Sequence, residues 1–301
     1  MTDRVILREV GPRDGLQLIK SQLDTPIKLA WIRAQAEVGF TEIEVTSFVP
    51  ISVLPQFADA VTVLADSQKI GNLLPSVLVP NLRGAVLAMD AGAKKITFVL
   101  SVSESHNKAN VRQTTDDSLA MLREVVAERD NRQNIKIATA LATSFGCSIE
   151  GAVSETRVTQ IAEILAKQGV DEINLADTVG YGDPVQVGRI FTDVKVAVGE
   201  LPLAAHFHDT RGLGLANLMA ALDAGVRRFD SALGGLGGCP FAPGASGNIV
   251  TEDTVHLFNK LGIESGIDLD ALLEVRRQLA KWLPKEKLEG RLLEAGPARQ
   301  Q

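Results

Sequence analysis

Apolar and polar positions fall into a repeating unit along this chain. A helix-like pattern ends at glycine, one apolar residue follows, and a short strand-like run comes next. Glu37-Val38-Gly39-Phe40 leads into Thr41–Val45, and Asp90-Ala91-Gly92-Ala93 into Lys94–Val99. Lys167-Gln168-Gly169-Val170 leads into Asp171–Leu175, and Asp223-Ala224-Gly225-Val226 into Arg227–Asp230. Glycine just past a helix supplies the left-handed backbone that closes it, so each block reads as an αβ joint.

Eight runs carry strand character: Val5–Val10, Glu42–Thr46, Leu73–Val79, Lys95–Leu100, Lys136–Ala140, Glu172–Ala176, Leu203–Phe207 and Arg228–Ala232. Helical patterns lie between them. Thr25-Pro26 opens the first, with Thr25 as N-cap and Pro26 at the first helical position, and Ser154 and Thr210 mark later starts. Eight such units in roughly 260 residues predict an α/β fold, a (β/α)8 TIM barrel with additional C-terminal helices. An open doubly wound sheet is the alternative, but Gly11-Pro12-Arg13-Asp14-Gly15 does not fit the glycine fingerprint of a dinucleotide-binding turn. Leu269, Leu272, Leu273, Leu279 and Leu283 predict an amphipathic helix with Trp282 near its end. The charged tail from Lys285 to Gln301 reads as an appended helix or a frayed end. The expectation is one domain, residues 1–301, with the barrel over about 4–265 and a helical extension over about 266–301.

Composition narrows this further. Of 301 residues, 45% are hydrophobic but only 4% aromatic, so Val, Ile, Leu and Ala must build the core, as suits a buried parallel sheet. The net charge of −6 comes with no basic stripe, which argues against a nucleic-acid partner. No apolar run is long enough to cross a membrane. The two cysteines, Cys147 and Cys239, do not suggest a disulfide scaffold, and a buried packing role is the default for Cys147. The N-terminus carries no signal or transit pattern, and the expected location is cytoplasmic.

Chemistry in such a barrel gathers where strands end. His206 and His208 are two residues apart on a strand and leave it on the same side, a half-site for a divalent metal. The plainer reading is one buried and one exposed histidine. The first strand ends in a tight turn that holds Arg13 and Asp14 at the rim, as site residues or as a surface pair. Glu42 and Glu44 share a face; if that face is interior, a buried carboxylate needs a cation, and Arg13 is a neighbour. Asp177 and Thr178 form a polar pair at the sixth strand's end. The glycine-rich stretch from Leu233 to Asn248 reads as a mobile lid carrying Cys239, or as a loop with a passenger cysteine. Asp14, His206, His208 and Asn248 make a mixed nitrogen and oxygen set that suits Mg²⁺ or Mn²⁺ better than structural zinc.

Val10–Gln17, the His206-Phe207-His208-Asp209-Thr210 segment, and Gly235–Phe241 with Gly244–Asn248 resemble the 3-hydroxy-3-methylglutaryl-CoA lyases, members of a metal-dependent TIM-barrel superfamily of lyases and aldolases. The resemblance runs from about Arg4 to about Val275. It implies an acyl-CoA substrate cleaved to acetyl-CoA and acetoacetate, and a homo-oligomer, dimer or higher. By the same resemblance Asp14, His206, His208 and Asn248 ligate Mg²⁺ or Mn²⁺, Arg13 stabilises the enolate, and Glu44 orients Arg13. Either Asp14 or His206 is the base for the hydroxyl proton. Gln17, Asp177 and Thr178 stand near substrate, Cys239 donates a proton, and Glu252 supports the cysteine loop.

Two rim segments depart from the family pattern. Leu18-Ile19 replaces Asn-Glu, and Pro50-Ile51-Ser52-Val53 replaces Ser-Pro-Lys-Trp. A more apolar rim suits a citramalyl or longer branched hydroxyglutaryl thioester. Two further readings are an aldolase for a free hydroxy or oxo acid, and a non-catalytic metal- or CoA-binding regulator. Loss of Arg13 or of a ligand would favour the regulator, and none is lost.

Overall fold

A computed structural model of the chain describes residues 3–238 and 247–296. Among these, strands and helices alternate: β1 (Ile6–Glu9), α1 (Thr25–Glu37), β2 (Glu42–Ser47), α2 (Ala60–Ser67), β3 (Leu74–Val79), α3 (Leu82–Asp90), β4 (Lys95–Ser101), α4 (Glu104–Val111) and α5 (Thr115–Asp130). They continue as β5 (Lys136–Ala142), α6 (Glu155–Lys167), β6 (Glu172–Asp177), α7 (Pro184–Val198), β7 (Leu203–Phe207), α8 (Gly214–Asp223) and β8 (Arg228–Ser231). Three helices follow: α9 (Thr251–Leu261), α10 (Leu269–Trp282) and α11 (Leu292–Ala295). The strands pair in parallel in the order β1 to β8, and β8 returns to β1, closing the barrel. The expected TIM barrel is therefore present, and the open sheet is excluded.

Period-two alternation sets the two sides of the wall. On β4, Ile96, Phe98 and Leu100 are fully buried in the hydrophobic core, while Lys95, Thr97 and Val99 turn into the barrel. The largest buried rings are Trp31, Phe98, Phe191, Phe207, Phe229 and Phe258. The αβ joints behave as expected: Gly39, Gly92, Gly169 and Gly225 have φ of 115°, 89°, 84° and 92°.

Two helix starts differ from expectation. Asp24, not Thr25, occupies the N-cap of α1, and the Thr25 hydroxyl instead donates to Asp59 at 2.7 Å. Thr210 does not open α8, which begins at Gly214, whose N–H donates to the Asp209 carboxylate at 2.8 Å. Ser154 does cap α6, accepting from the Arg157 N–H. The C-terminal amphipathic helix is α10, which packs on α1 and α9. The described part of the tail is docked, not frayed: Asp253 accepts the N–H groups of Arg291 and Leu292, each at 2.9 Å.

The floor of the barrel is ionic. Glu42, Lys95, Glu172 and Arg228 come from the alternate strands β2, β4, β6 and β8, the layering that a closed eight-stranded barrel imposes. Lys95 donates to Glu42 at 2.5 Å and to Glu172 at 2.9 Å, and Arg228 reaches the same carboxylates at 2.6 and 2.7 Å. Arg8 donates to both at 3.0 Å and to Asp230 through Nε at 2.7 Å. Three cations face three carboxylates, so the floor carries no net charge. Removing one partner would leave a buried charge uncompensated, at a cost of about 3–5 kcal/mol.

Candidate active site

The site begins in a wide turn after β1. The N–H groups of Arg13, Asp14 and Gly15 all point to the Val10 carbonyl, at 3.1, 2.7 and 3.3 Å. Gly11 is needed for this close packing, because a Cβ there would collide with the Glu9 carboxylate and stand 2.9 Å from the Trp31 ring. Glu9 faces away from the barrel interior and organises the surroundings. It accepts from Gly11 N–H at 2.8 Å, Leu233 N–H at 3.0 Å and the Thr251 hydroxyl at 2.8 Å. Burial pushes its carboxyl up to about 7, against those hydrogen bonds.

Arg13 is thereby aimed inward, buried to 7% exposure. It donates through Nε to Glu44, through Nη1 to Asp14 at 2.6 Å, and to Gln17 Oε1 at 3.3 Å. Both glutamates of β2 prove interior. Glu42 is matched by the floor cations and Glu44 by Arg13. A register shift between Glu44 and Thr46 bulges β2 at this level.

The two histidines of β7 leave on one side, their ring centroids 5.1 Å apart. Asp14, His206 and His208 each direct a donor atom to one place, and the three atoms lie within 4.8 Å of one another. His208 Nε2 is 3.9 Å from Asp14 Oδ2. Asn248 arrives from the far side of the glycine-rich stretch, bridged to His208 by backbone pairing. Its Nδ2 donates to Asp14 Oδ2 at 2.7 Å and to the Leu236 carbonyl at 3.0 Å. Its Oδ1 is buried with no hydrogen-bond partner among the described residues. An orphaned amide oxygen beside a carboxylate and two imidazoles fits a divalent cation, because buried polar atoms otherwise find partners.

The electrostatics of Asp14 and His208 agree with that fit. Burial works to raise the Asp14 carboxyl, but Arg13, His206, His208 and the Asn248 hydrogen bond outweigh it and hold the group at about 2. Burial, then the neighbouring His206, press His208 down to about 4, leaving it neutral. For His206 burial is outweighed by the Asp230 hydrogen bond and by the Asp14 and Asp230 charges, and its pKa is raised.

A cavity of about 400 Å³ opens over these groups at the C-terminal ends of the strands, lined by Arg13, Asp14, Gln17, Glu44, Thr178, His206 and His208. Gln17 and Thr178 line this cavity, and Asp177 is outside its lining. The Asp177 carboxylate accepts the N–H groups of Tyr181 and Gly182, at 2.9 and 3.0 Å, and the His206 charge reaches it. Cys239 lies outside the described residues; Gly238, beside it in sequence, lines the cavity. Glu252 accepts the Gly234 N–H at 3.0 Å, at the start of the glycine-rich stretch.

Sequence comparison adds a family signature to this geometry. The HMGL-like family model matches residues 4–279. The chain belongs to the HMGL-like family. It is 36% identical to the Bacillus subtilis hydroxymethylglutaryl-CoA lyase YngG over 95% of this chain and 97% of that one. It is 41% identical to the Mus musculus mitochondrial hydroxymethylglutaryl-CoA lyase over 90% of this chain and 83% of that protein. An HMG-CoA lyase structure from Acinetobacter baumannii, in complex with coenzyme A and 3-methylmalate, superposes with a TM-score of 0.93 at 42% identity, covering 98% of this chain and 95% of that one. No helix among the described residues is long and apolar enough to cross a membrane.

Two residues of this HMGL-like barrel escaped sequence reading. Asp230 pairs in register with both Arg8 and His206, and its Oδ2 lies 3.2 Å from His206 Nδ1. Asn174 donates to the same oxygen at 2.6 Å. The alternation Arg228-Phe229-Asp230, with Phe229 in the outer core, carried the signal. Arg276 of α10 donates to Glu252 at 3.0 Å and to the Glu289 carbonyl at 3.2 Å, and the Glu289 N–H donates to the Gly234 carbonyl at 2.7 Å. The tail thus braces the root of the glycine-rich stretch, a contact no local pattern announces.

Proposed function

We propose that the protein is a metal-dependent carbon–carbon lyase that cleaves 3-hydroxy-3-methylglutaryl-CoA to acetyl-CoA and acetoacetate. The observation that carries this reading is the convergence of Asp14, His206 and His208 beside the buried Arg13 in one cavity, with Asn248 bonded to Asp14 and its Oδ1 without a hydrogen-bond partner among the described residues. Asp14, His206, His208 and Asn248 would hold Mg²⁺ or Mn²⁺, which supplies polarisation of the substrate's hydroxyl and carbonyl oxygens when bound.

The chain's own groups then divide the work. The C3 hydroxyl proton goes to Asp14 or to His206, the two candidate bases of the site. Asp230 occupies His206 Nδ1, so that ring keeps only Nε2 for the cation or for a proton. The C2–C3 bond breaks, C3 becomes a ketone, and the bonding pair passes to C2 as the thioester enolate. Arg13 opposes the enolate charge with a guanidinium already fixed by Glu44 and Asp14, so little reorganisation is needed. Cys239 returns a proton to C2 and completes acetyl-CoA. Gln17 and Thr178 contact substrate from the rim, and Glu252 with Arg276 holds the root of the cysteine-bearing segment.

Incubating the protein with Mg²⁺ and 3-hydroxy-3-methylglutaryl-CoA tests this by acetoacetate release. Release that chelator abolishes supports the reading; none with metal present rejects it. An aldolase acting on a free hydroxy acid would cleave acids without the CoA thioester, and the same assay separates the two.

A further inference from the structure

Four side chains stand one layer above the ionic floor. Glu44, Thr97, Asn174 and Asp230 follow Glu42, Lys95, Glu172 and Arg228 by two residues on β2, β4, β6 and β8, so they share the inward face, and all four line the cavity. The two charged members are matched, Glu44 by Arg13 and Asp230 by Arg8. The two neutral members are not. Thr97 is 2% and Asn174 3% exposed, and neither Thr97 Oγ1 nor Asn174 Oδ1 has a hydrogen-bond partner among the described residues. Buried polar atoms nearly always find partners, because leaving them unpaired is costly. The Asn174 amide is fixed, since Nδ2 donates to Asp230 Oδ2 at 2.6 Å and Oδ1 must face elsewhere. Between β4 and β6, β5 brings only the methyl groups of Ala140 and Ala142 to the cavity wall. Arg8 also lines the cavity. Its Nη1 donates to Glu42 and Glu172, its Nε to Asp230, and Nη2 lies 2.6 Å from the same Asp230 oxygen. A guanidinium has five N–H groups, so at least one on Nη2 is left over.

These groups admit a narrow chemistry. Asn174 Oδ1 needs a donor. A carboxylate offers none, and it would meet Glu44 and Asp230 above a floor whose charges already cancel. A methyl group would leave both oxygens unpaired. A neutral hydroxyl gives its proton to Asn174 Oδ1 and accepts from Thr97 or Arg8.

We propose that the inner end of the cavity is a subsite for one hydroxyl oxygen, bound between Asn174 Oδ1 and Thr97 Oγ1. An ordered water supplies that oxygen in the free protein. A hydroxyl on the acyl branch of a substrate takes the water's place, and this half rests on the lyase reading above. The floor closes the barrel, so a CoA thioester enters from the open end and its acyl group reaches deepest. The substrates favoured are 3-hydroxyacyl-CoA thioesters with a short hydroxylated branch at C3. Their cleavage balances: the C2–C3 pair passes to C2, C2 takes one proton to give acetyl-CoA, and C3 leaves as the ketone of a 3-oxo acid that keeps the branch.

An atomic-resolution crystal structure of the Mg²⁺-loaded protein reads the first half. One oxygen is expected within hydrogen-bond distance of Asn174 Oδ1 and Thr97 Oγ1, lost in Thr97→Val and retained in Thr97→Ser. The substrate half is read with 3-hydroxy-3-(hydroxymethyl)glutaryl-CoA and 3-hydroxy-3-ethylglutaryl-CoA, which differ by a hydroxyl in place of a methyl. The hydroxymethyl compound should have the higher kcat/KM, by about 10–100-fold. Thr97→Val and Asn174→Leu should each lower that ratio about tenfold, and Thr97→Ser should keep it; retained circular dichroism shows that the variants fold. No oxygen on Asn174 Oδ1 overturns the subsite. Equal or better use of the ethyl compound, or a ratio that neither variant moves, overturns the substrate half and leaves the lyase reading standing. Failure of every thioester, the 3-methyl compound included, with metal bound rejects the lyase reading and the substrate half together, while the water stands or falls on the crystal structure.

Discussion

His206 Nδ1 lies 3.2 Å from Asp230 Oδ2, and Asp230 is itself held by Arg8 from the barrel floor. The ionic floor thus reaches the active site through one carboxylate. Burial opposes ionisation of Asp230, but the Arg8 charge and the His206 contact outweigh it and depress its pKa. The pairing directs Nδ1 away from the cavity and leaves Nε2 for chemistry, as a carboxylate behind a ligating histidine does.

Asp230→Asn is therefore expected to weaken divalent-cation binding about 10–100-fold. Mn²⁺ titration followed by calorimetry measures this. Because Arg8 loses a buried counter-charge, stability should also drop by about 3–5 kcal/mol, read by urea denaturation. Unchanged affinity would detach Asp230 from the site.

Arg13→Gln should lower kcat by about 10²–10³-fold, since the enolate loses its fixed positive partner. Cation binding should survive. Glu44 is left buried without a counter-charge, so the single variant should also lose stability. Adding Glu44→Gln should restore stability and not turnover, and steady-state kinetics beside thermal melts of both variants separates the two roles.

Cys239→Ser keeps a hydroxyl but loses the more acidic thiol. Turnover should slow by about 10²-fold or more, within the usual reach of a general acid, while cation affinity holds. Equal kcat in the two proteins would remove Cys239 from the proton path.

Glu9 sets a pH dependence of stability. Its folded pKa is raised from 4.5 to about 7, so the folded protein holds this proton more tightly than the unfolded chain. Its contribution is complete below about pH 4.5 and is lost as pH rises through about 7. A shift of that size corresponds to at most about 3 kcal/mol. Glu9→Gln keeps an acceptor for Gly11 and Leu233 and does not titrate. Relative to the parent, its stability should climb between pH 5 and pH 8, measured by urea unfolding at each pH. A constant difference would mean that Glu9 ionises in the folded state as it does in the unfolded chain.

The parts that local pattern encodes were legible before the structure. Glycine-terminated helices and apolar runs announced eight β-α units, and spacing put His206 and His208 on one face. Motif similarity supplied Asn248, whose orphaned Oδ1 only the fold reveals. Charges that meet across the closed barrel were not legible: Arg8 finds Glu172 and Asp230 from 164 and 222 residues away. A lone charge in a strand reads as an edge residue until closure gives it partners. Thr25 and Thr210 misled for the opposite reason. Each looks like a local cap, but Asp24 takes the N-cap of α1, and α8 begins only at Gly214 after Leu213, with the Gly214 N–H held by Asp209.

The most direct measurement is the cleavage of 3-hydroxy-3-methylglutaryl-CoA in D₂O, with Mg²⁺ and with chelator, read by mass spectrometry of the acetyl-CoA formed. An enolate protonated at C2 predicts one deuterium in the acetyl methyl group, equimolar acetoacetate, and no product in chelator. Product formed at the same rate in chelator, or metal-loaded protein that forms none, would contradict the account.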